Sequence, residues 1–588
     1  MVYDNHDNII CLEEEVKLDR ITYEQLKSKD YNEAIKYFTN LLRNELLIND
    51  SLATVVSAFT LAAIKKDIPD SSNIINYLEE KIADETTISF LKKTDKELYS
   101  QIDDLSNKYD LDTLKAAVLF SESKRFSQVE CSTPEGIVNL AISLLSITKN
   151  DVVLDLGSGV SSFLIQAAQE SQEIDLYGVE INTSNVVIAN LRRYISGLPI
   201  KVIQGNIISQ DHSSLLANKV FSNFPLGMKF SDLEKYVKQN QRLKKYFKDA
   251  KRTVSGDWVY GMASFLNMRM PGKTVVLMTN SGTWNKPDEL YRQKLVEDGN
   301  VEGVILLPPR LLSSTNISLT MLILSQENKE IRMLDASEIF TEGRRQNTLE
   351  PNDIEKIIEA YYNDSDISKK IKVDNIAKQE YILNPQRYIN LDIGITDGIR
   401  LGDLCMSINR GAMVRSDELD TIITSEETNY RYLMLQNIQD GVVDTNLPYI
   451  KEIDERYKRY CIKDKDLIIS KISPFKVATM HLKGDEVILA NGNLYFLELD
   501  EEKINPVFLQ VFLQSEKGMA QLNRYAKGAA MQSISIQDLK MIQIPNVSRA
   551  KQDIIANEYK SINDELIILQ RQIDMIQDKK SKLLEGVI

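Results

Sequence analysis

A chain of 588 residues is long enough for three or four domains, each able to bury its own core. Its 43% hydrophobic and 27% charged composition is that of a globular protein; no apolar run approaches the ~18 residues of a membrane span, and Met1-Val2-Tyr3-Asp4-Asn5-His6-Asp7 is no signal peptide, so a cytoplasmic location is expected. A net charge of −14 excludes wholesale coating of nucleic acid but not a basic channel, while four scattered cysteines (Cys11, Cys131, Cys405, Cys461) and three histidines (His6, His212, His481) predict reduced thiols and no metal site.

Residues 1–128 read as a helical N-terminal domain. Apolar residues recur at three- and four-residue spacing, as in Ala34, Tyr37, Phe38, Leu41 and Leu42, with almost no Gly or Pro. Pro69-Asp70 with Glu79 and Lys81 has the residue types of a nuclease site, but the surrounding helical pattern does not support one.

From 129 to 330 the texture changes. Val152-Val153-Leu154, Leu176 to Val179, Val202-Ile203, Val220-Phe221, Thr274 to Leu277 and Gly303 to Leu307 are short apolar runs separated by helix-length stretches. That alternation predicts an α/β domain with a mostly parallel sheet covered on both faces. Asp155 ends the first run and is followed by the small-residue turn Gly157-Ser158-Gly159; Glu180 ends the second, 25 residues later. Glycines at a strand's carboxyl end let backbone N–H groups approach a ligand, and a second strand-end acid suits both hydroxyls of a ribose. A dinucleotide-type turn is disfavoured because Ser162 stands where a third glycine belongs. Gly272-Lys273-Thr274 is no phosphate loop, since it precedes a strand and Asn267 occupies the place of the earlier glycine.

The densest basic run, Lys238 to Arg252, offers Lys244, Lys245 and Lys248 as candidate DNA-phosphate contacts, the alternative being a solvated helix face. Residues 331–398 read as a helical, charged bridge, and 399–549 as strands and turns. In 550–588 one long helix repeats Ile555, Tyr559, Ile562, Leu566, Leu569, Ile573 and Ile576 at alternating fours and threes, the seam of a coiled coil.

Together these motifs resemble the modification subunits of type I restriction-modification systems, N6-adenine DNA methyltransferases, over about 12–330. Ser132-Thr133-Pro134-Glu135-Gly136 is similar to the family segment against the methionine half of the cofactor. Asp155 to Leu164 is similar to its cofactor turn, Glu180 to its ribose-binding acid, and Gly205-Asn206 to its adenine-side Gly-Asp, with an amide replacing the carboxylate. The resemblance implies a Rossmann-like methyltransferase domain binding S-adenosyl-L-methionine through Thr133, Pro134, Asp155, Gly157, Gly159, Glu180 and Asn206. The catalytic signature, Asn-Pro-Pro-aromatic, aligns with Asn223-Phe224-Pro225-Leu226. In the family the Asn oxygen and the following carbonyl accept the two amine hydrogens of an extruded adenine, and the terminal aromatic stacks on that base. Here Phe224 replaces the first proline and Leu226 the aromatic; whether the Phe224 ring substitutes or points into the core is left open by the sequence.

Residues from about 400 resemble half of a type I specificity subunit, an α+β target-recognition domain with one long helix. The similar pieces include Leu401-Gly402-Asp403-Leu404, Arg410-Gly411, Tyr432 to Gly441, Lys465 to Ser470, Gly528 to Ser535 and Ile542 to Pro545. This implies double-stranded DNA as substrate, a homodimer through the helix that restores a two-part recognition site, and a separate restriction subunit for any cleavage. A catalytically degenerate DNA-binding scaffold is the second reading. Cleavage by this chain itself is a third, which nothing beyond the 69–81 residues supports.

Overall fold

The computed structural model describes residues 20–44, 52–68, 74–82, 84–120, 132–171, 173–344, 346–389, 395, 397–444, 446–526 and 532–581. Cys11, Cys131, Pro69 and Asp70 lie outside these, as does part of the 528–535 motif. The chain divides into two compact units, residues 1–389 and 390–588.

The first unit is built on one nine-stranded sheet. Its strands are β1 (Val152–Leu156), β2 (Asp175–Glu180), β3 (Ile200–Gln204), β4 (Lys219–Asn223), β5 (Lys273–Thr279), β6 (Val301–Leu306), β7 (Leu319–Leu324), β8 (Glu330–Asp335) and β9 (Ser368–Lys372), in the order β3-β2-β1-β4-β5-β7-β6-β8-β9. Strands β3 to β5 in that order run parallel, as the spaced apolar runs predict, and β7 inserts antiparallel between β5 and β6. Both faces are covered: Leu154, Val220 and Val276 join one core, and Val153, Phe221, Val275 and Leu277 another. The order turns back at β1, and the loops leaving β1 and β4 therefore open a crevice at their carboxyl ends.

The helical segment is not a separate body. Helix Leu52–Asp67 is buried on every side, because it lies between Glu85–Lys108, Leu111–Phe120 and the helix after β2, Thr183–Ser196, whose Val187, Ile188, Leu191 and Ile195 belong to its core. Arg192 on that helix is wholly buried, its Nε donating to the Val118 carbonyl at 3.1 Å and its Nη1 to the Val160 carbonyl at 3.2 Å. This ties the helices to the glycine turn. Glu79 and Lys81 sit on helix Ile74–Lys81, and Glu79 pairs with Lys92 rather than forming part of a site.

The segment 331–398 corrects the expectation of a helical bridge. It contains most of β8, all of β9 and helix Pro351–Tyr362, which packs on helix Glu135–Leu145. The misreading has a physical cause. In Ser368-Lys369-Lys370-Ile371-Lys372 only Ser368 and Ile371 are buried, so this lysine-bearing edge strand mimics a charged helix face.

In the second unit, Cys405–Arg410, Leu494–Leu499, Leu467–Ser470 and Val477–Thr479 form a four-stranded antiparallel sheet over helices Pro506–Gln514 and Glu516–Tyr525. A five-stranded sheet includes Tyr430–Leu433 and Val487–Ala490. The last helix, Arg549–Ser581, runs 33 residues, or about 50 Å. The expected seam divides along it. The Tyr559 hydroxyl donates to Gln514 Oε1 at 2.9 Å and Ile555 packs on this unit's own core, whereas Ile562, Leu569, Ile573 and Ile576 are 51%, 47%, 46% and 64% exposed. The side chain of Leu566 is outside the described set.

Candidate functional site

The crevice at the carboxyl end of the sheet holds a cavity of about 540 Å³, within the range of small-molecule sites. Its floor is the turn after β1. Gly157 and Gly159 have φ of +89° and +52°, a region that a side chain at either position would strain. The turn folds back over β2: the Gly157 and Ser158 amides donate to the Val179 carbonyl at 2.9 and 3.0 Å, and a Cβ at Gly178 would lie 2.7 Å from Ser158 Oγ.

Asp155 and Glu180 are both buried in the lining. Glu180 Oε2 accepts from the Gly159 amide at 2.8 Å and Oε1 from the Asn182 amide at 2.7 Å, which fixes the carboxylate across the strand ends while leaving lone pairs on both oxygens. Asp155 is different. Its Oδ1 is buried without a partner, as are Ser158 Oγ and Ser161 Oγ, and burial, then the charge of Glu180, push its carboxyl well above the usual range. A buried polar atom without a hydrogen bond costs about 1–3 kcal/mol. Those of Asp155 and Ser158, both in the lining, mark a place suited to a polar ligand, and two neighbouring acids favour one that carries positive charge.

Thr133 and Asn223 meet across the cavity mouth, with Asn223 Nδ2 donating to Thr133 Oγ1 at 2.9 Å. The bond leaves the Asn223 amide oxygen as its acceptor. Pro134 begins helix Glu135–Leu145 and lies outside the lining; its carbonyl accepts from the Ile137 and Val138 amides at 3.0 and 3.1 Å. At the β3 end, Asn206 Oδ1 accepts from the Ile208 and Ser209 amides at 2.9 and 3.1 Å, so the hydrogens on its side-chain nitrogen are what it offers the cavity.

The structure settles the place of Phe224. Its side chain is 3% exposed and its ring lies parallel to Tyr260, 4.5 Å between centroids and 11° between planes, within the core under β4. Leu226 is half-buried at the lip and Pro225 is exposed. Motif reading missed Tyr236, Tyr260, Met228 and Leu312, which also line the cavity. Tyr236 and Leu233 share a face of helix Phe230–Val237 at i, i+3 spacing, a signal present in the sequence but indistinguishable from ordinary core.

Of the basic run, Leu243 and Phe247 are buried, Phe247 stacking on Tyr291 at 4.7 Å, so helix Gln241–Tyr246 is anchored with Lys244 and Lys245 outward, and Lys248 is exposed just beyond. None of the three lysines lines the cavity.

Residues 103–393 match the family model described as N-6 DNA Methylase, and residues 396–577 that of the Type I restriction modification DNA specificity domain. The chain is 25% identical over 343 residues to the type I restriction enzyme MjaVIII methylase subunit of Methanocaldococcus jannaschii, covering 53% of this chain and 59% of that one. It is 24% identical over 305 residues to the MpnII methylase subunit of Mycoplasma pneumoniae, covering 46% and 55%. It thus spans less than two thirds of the length of these relatives. Among solved structures, the type I restriction-modification methyltransferase subunit from Streptococcus thermophilus aligns at 17% identity and a TM-score of 0.47, covering 62% of this chain and 99% of that one. The type IIG restriction endonuclease BpuSI aligns at 12% identity and a TM-score of 0.47, covering 86% and 72%. The chain thus carries, in one polypeptide, a region matching the N-6 DNA methylase family followed by one matching the type I restriction modification DNA specificity domain.

Proposed function

We propose that this chain methylates the N6 amine of a flipped adenine in double-stranded DNA, with S-adenosyl-L-methionine as donor, at sites chosen by its own second unit. The observation that carries the reading is the Asn223–Thr133 bond at the mouth of a cavity with two buried acids, because it joins an acceptor for an amine to a pocket for a cationic nucleoside. Thr133, Asp155, Gly157, Gly159, Glu180 and Asn206 would hold the cofactor, and the partnerless atoms of Asp155 and Ser158 fit its polar groups. When bound, it supplies an electrophilic methyl group on a sulfonium.

The residues of the chain then do the rest. An adenine amine is a poor nucleophile while its lone pair is delocalised; Asn223 Oδ1 and the Phe224 carbonyl each accept one amine hydrogen and turn that lone pair toward the methyl group. With the amine so held, the proton it loses on methylation would leave to solvent. Lys244, Lys245 and Lys248 would contact phosphates. The exposed half of the seam, Ile562 to Ile576, would pair two copies into a homodimer, and a separate restriction subunit would perform any cleavage. No described helix is long and apolar enough to cross a membrane, and the assigned compartment is the cytoplasm.

A labelled-methyl assay on mixed duplex DNA, followed by base analysis, tests the chemistry: N6-methyladenine is the expected product. Cofactor binding without incorporation would overturn the catalytic reading and favour the second one, a methyltransferase-fold DNA-binding scaffold. The observation behind that alternative is the pair Phe224 and Leu226, which offers the base no stacking ring from the motif.

A further inference from the structure

At one edge of the second unit's four-stranded sheet lies a group of side chains that the core does not explain. Strand Leu494–Leu499 is flanked by Cys405–Arg410 and Leu467–Ser470, and the register sets Arg410 opposite Tyr495 and Ser470 opposite Leu494. Arg410 and Lys471 therefore leave the sheet at the same end, one on each side of this strand. Between them is the turn Asn491-Gly492-Asn493. Arg410 Nε donates to the Gly492 carbonyl at 2.8 Å, and the Lys471 amide donates to the Asn493 carbonyl at 2.7 Å.

The edge is rigid. A Cβ at Gly411 would lie 2.1 Å from the Asn491 carbonyl oxygen and 2.6 Å from that of Ala490, so the two turns pack backbone to backbone at a distance only a glycine permits there. A third segment closes the group, the Ile534 amide donating to the Lys471 carbonyl at 3.0 Å and the Ser473 amide to the Gln532 carbonyl at 2.9 Å.

Neither cation has an acidic partner among the described residues within ion-pair distance. Burial, then the charge of Arg410, lower the Lys471 ammonium below its usual range. Asn493 is exposed between them and Met413 beside them is 69% exposed. In a chain of net charge −14, two neighbouring uncompensated cations on a rigid frame call for an anionic partner. An amide held between two cations suits a groove edge, since Asn pairs with adenine through two hydrogen bonds while Arg and Lys hold phosphates.

We propose that Arg410, Lys471 and Asn493 form a duplex-DNA contact of the specificity unit, the two cations on backbone phosphates and the Asn493 amide on a base edge. The assignment rests on the reading of this unit as a DNA-recognition domain and adds the residues that do the recognising. Lys471 is the variant of choice, because its framework bonds are made by its backbone and survive substitution.

The test uses the full-length chain and labelled mixed-sequence duplexes, with affinity measured from about 50 to 200 mM salt, the range over which phosphate contacts show. Lys471→Ala should lower the slope of log affinity against log salt by about 0.9, the value of one phosphate contact on duplex DNA, and Lys471→Glu should lower it further. Asn493→Ala should leave the slope unchanged and alter the sequence recovered in a binding selection. Melting and cofactor titration verify that each variant is folded. An unchanged slope in both Lys471 variants overturns the proposal, as does an unchanged selected sequence for Asn493→Ala. A wild-type chain without affinity for duplex DNA overturns the recognition reading as well, whereas DNA binding without methyl transfer overturns only the proposed chemistry.

Discussion

Leu226→Tyr tests the proposed catalytic role of the loop from Asn223 to Leu226. Leu226 is half-buried at the cavity lip, packed partly against both cores of the first unit, and the residue before it is exposed, so an added ring has room to swing outward. The Phe224 ring is 3% exposed with one face against Tyr260 at 4.5 Å, so it presents no open face on which a base would stack. Base–aromatic stacking contributes about 1–3 kcal/mol per base, which at about 1.4 kcal/mol per decade is a factor of roughly 5 to 150. If a flipped adenine sits against position 226, Leu226→Tyr should raise single-turnover methyl transfer within that range and leave cofactor affinity unchanged. Leu226→Phe should act alike, showing that the ring rather than the hydroxyl is responsible. Both variants accelerating nothing while melting like the wild type would refute the placement of the base. Phe224→Ala is the contrasting case: truncating a buried aromatic should cost about 3–5 kcal/mol of stability, read in denaturant.

Thr133→Val removes the hydroxyl that holds Asn223 and should lower kcat, Thr133→Ser restoring it; equal loss in both would point to packing instead. Cofactor affinity should rise with pH. The Asp155 carboxyl is held high by burial and by Glu180, so in the free chain it keeps its proton above the usual carboxylate range, and a cationic ligand favours the ionised form. Calorimetric titration at pH values above the usual carboxylate range should show proton release on binding, and Asp155→Asn should abolish the contribution. Charge reversal at Lys244 and Lys245 should weaken duplex binding and reduce its salt slope by about 0.9 per lost contact; unchanged affinity would return that helix to a solvated face. Solution mass at micromolar concentration tests the helix seam: a strict monomer removes the dimer, and Leu569→Glu, which sets a charge in the exposed half of the seam, should convert a dimer to monomers.

The parallel strands and their terminal acids were legible because burial on both faces demands continuous apolar runs, and because Asp155 and Glu180 interrupt those runs at the strand ends with Gly157 and Gly159 in the turn that follows. The 331–398 segment was not, since an edge strand such as Ser368–Lys372 carries lysines against aggregation and loses its apolar alternation. Phe224 was undecidable in one dimension: its partner, Tyr260, is 36 positions away on helix Gly256–Leu266 and gives no local sign of the pairing. The seam misled in part. A heptad pattern reports which residues face a neighbour but not which neighbour, and Ile555 and Tyr559 face their own domain.

Asp155 and Glu180 divide the work of the cavity between them. Two acids buried side by side oppose folding, and one of them has an oxygen without a hydrogen bond. Glu180 is held by the amides of Gly159 and Asn182, so it ties the glycine turn to the end of β2. Asp155 has no such tie, and it is the member whose proton a ligand can displace. The same turn is gripped from behind by Arg192, through the Val160 carbonyl. In the proposed reading a cationic nucleoside would meet a frame already fixed on the Glu180 side and gain its electrostatic stabilisation at Asp155, which would separate the residue that shapes the site from the one that senses its occupant.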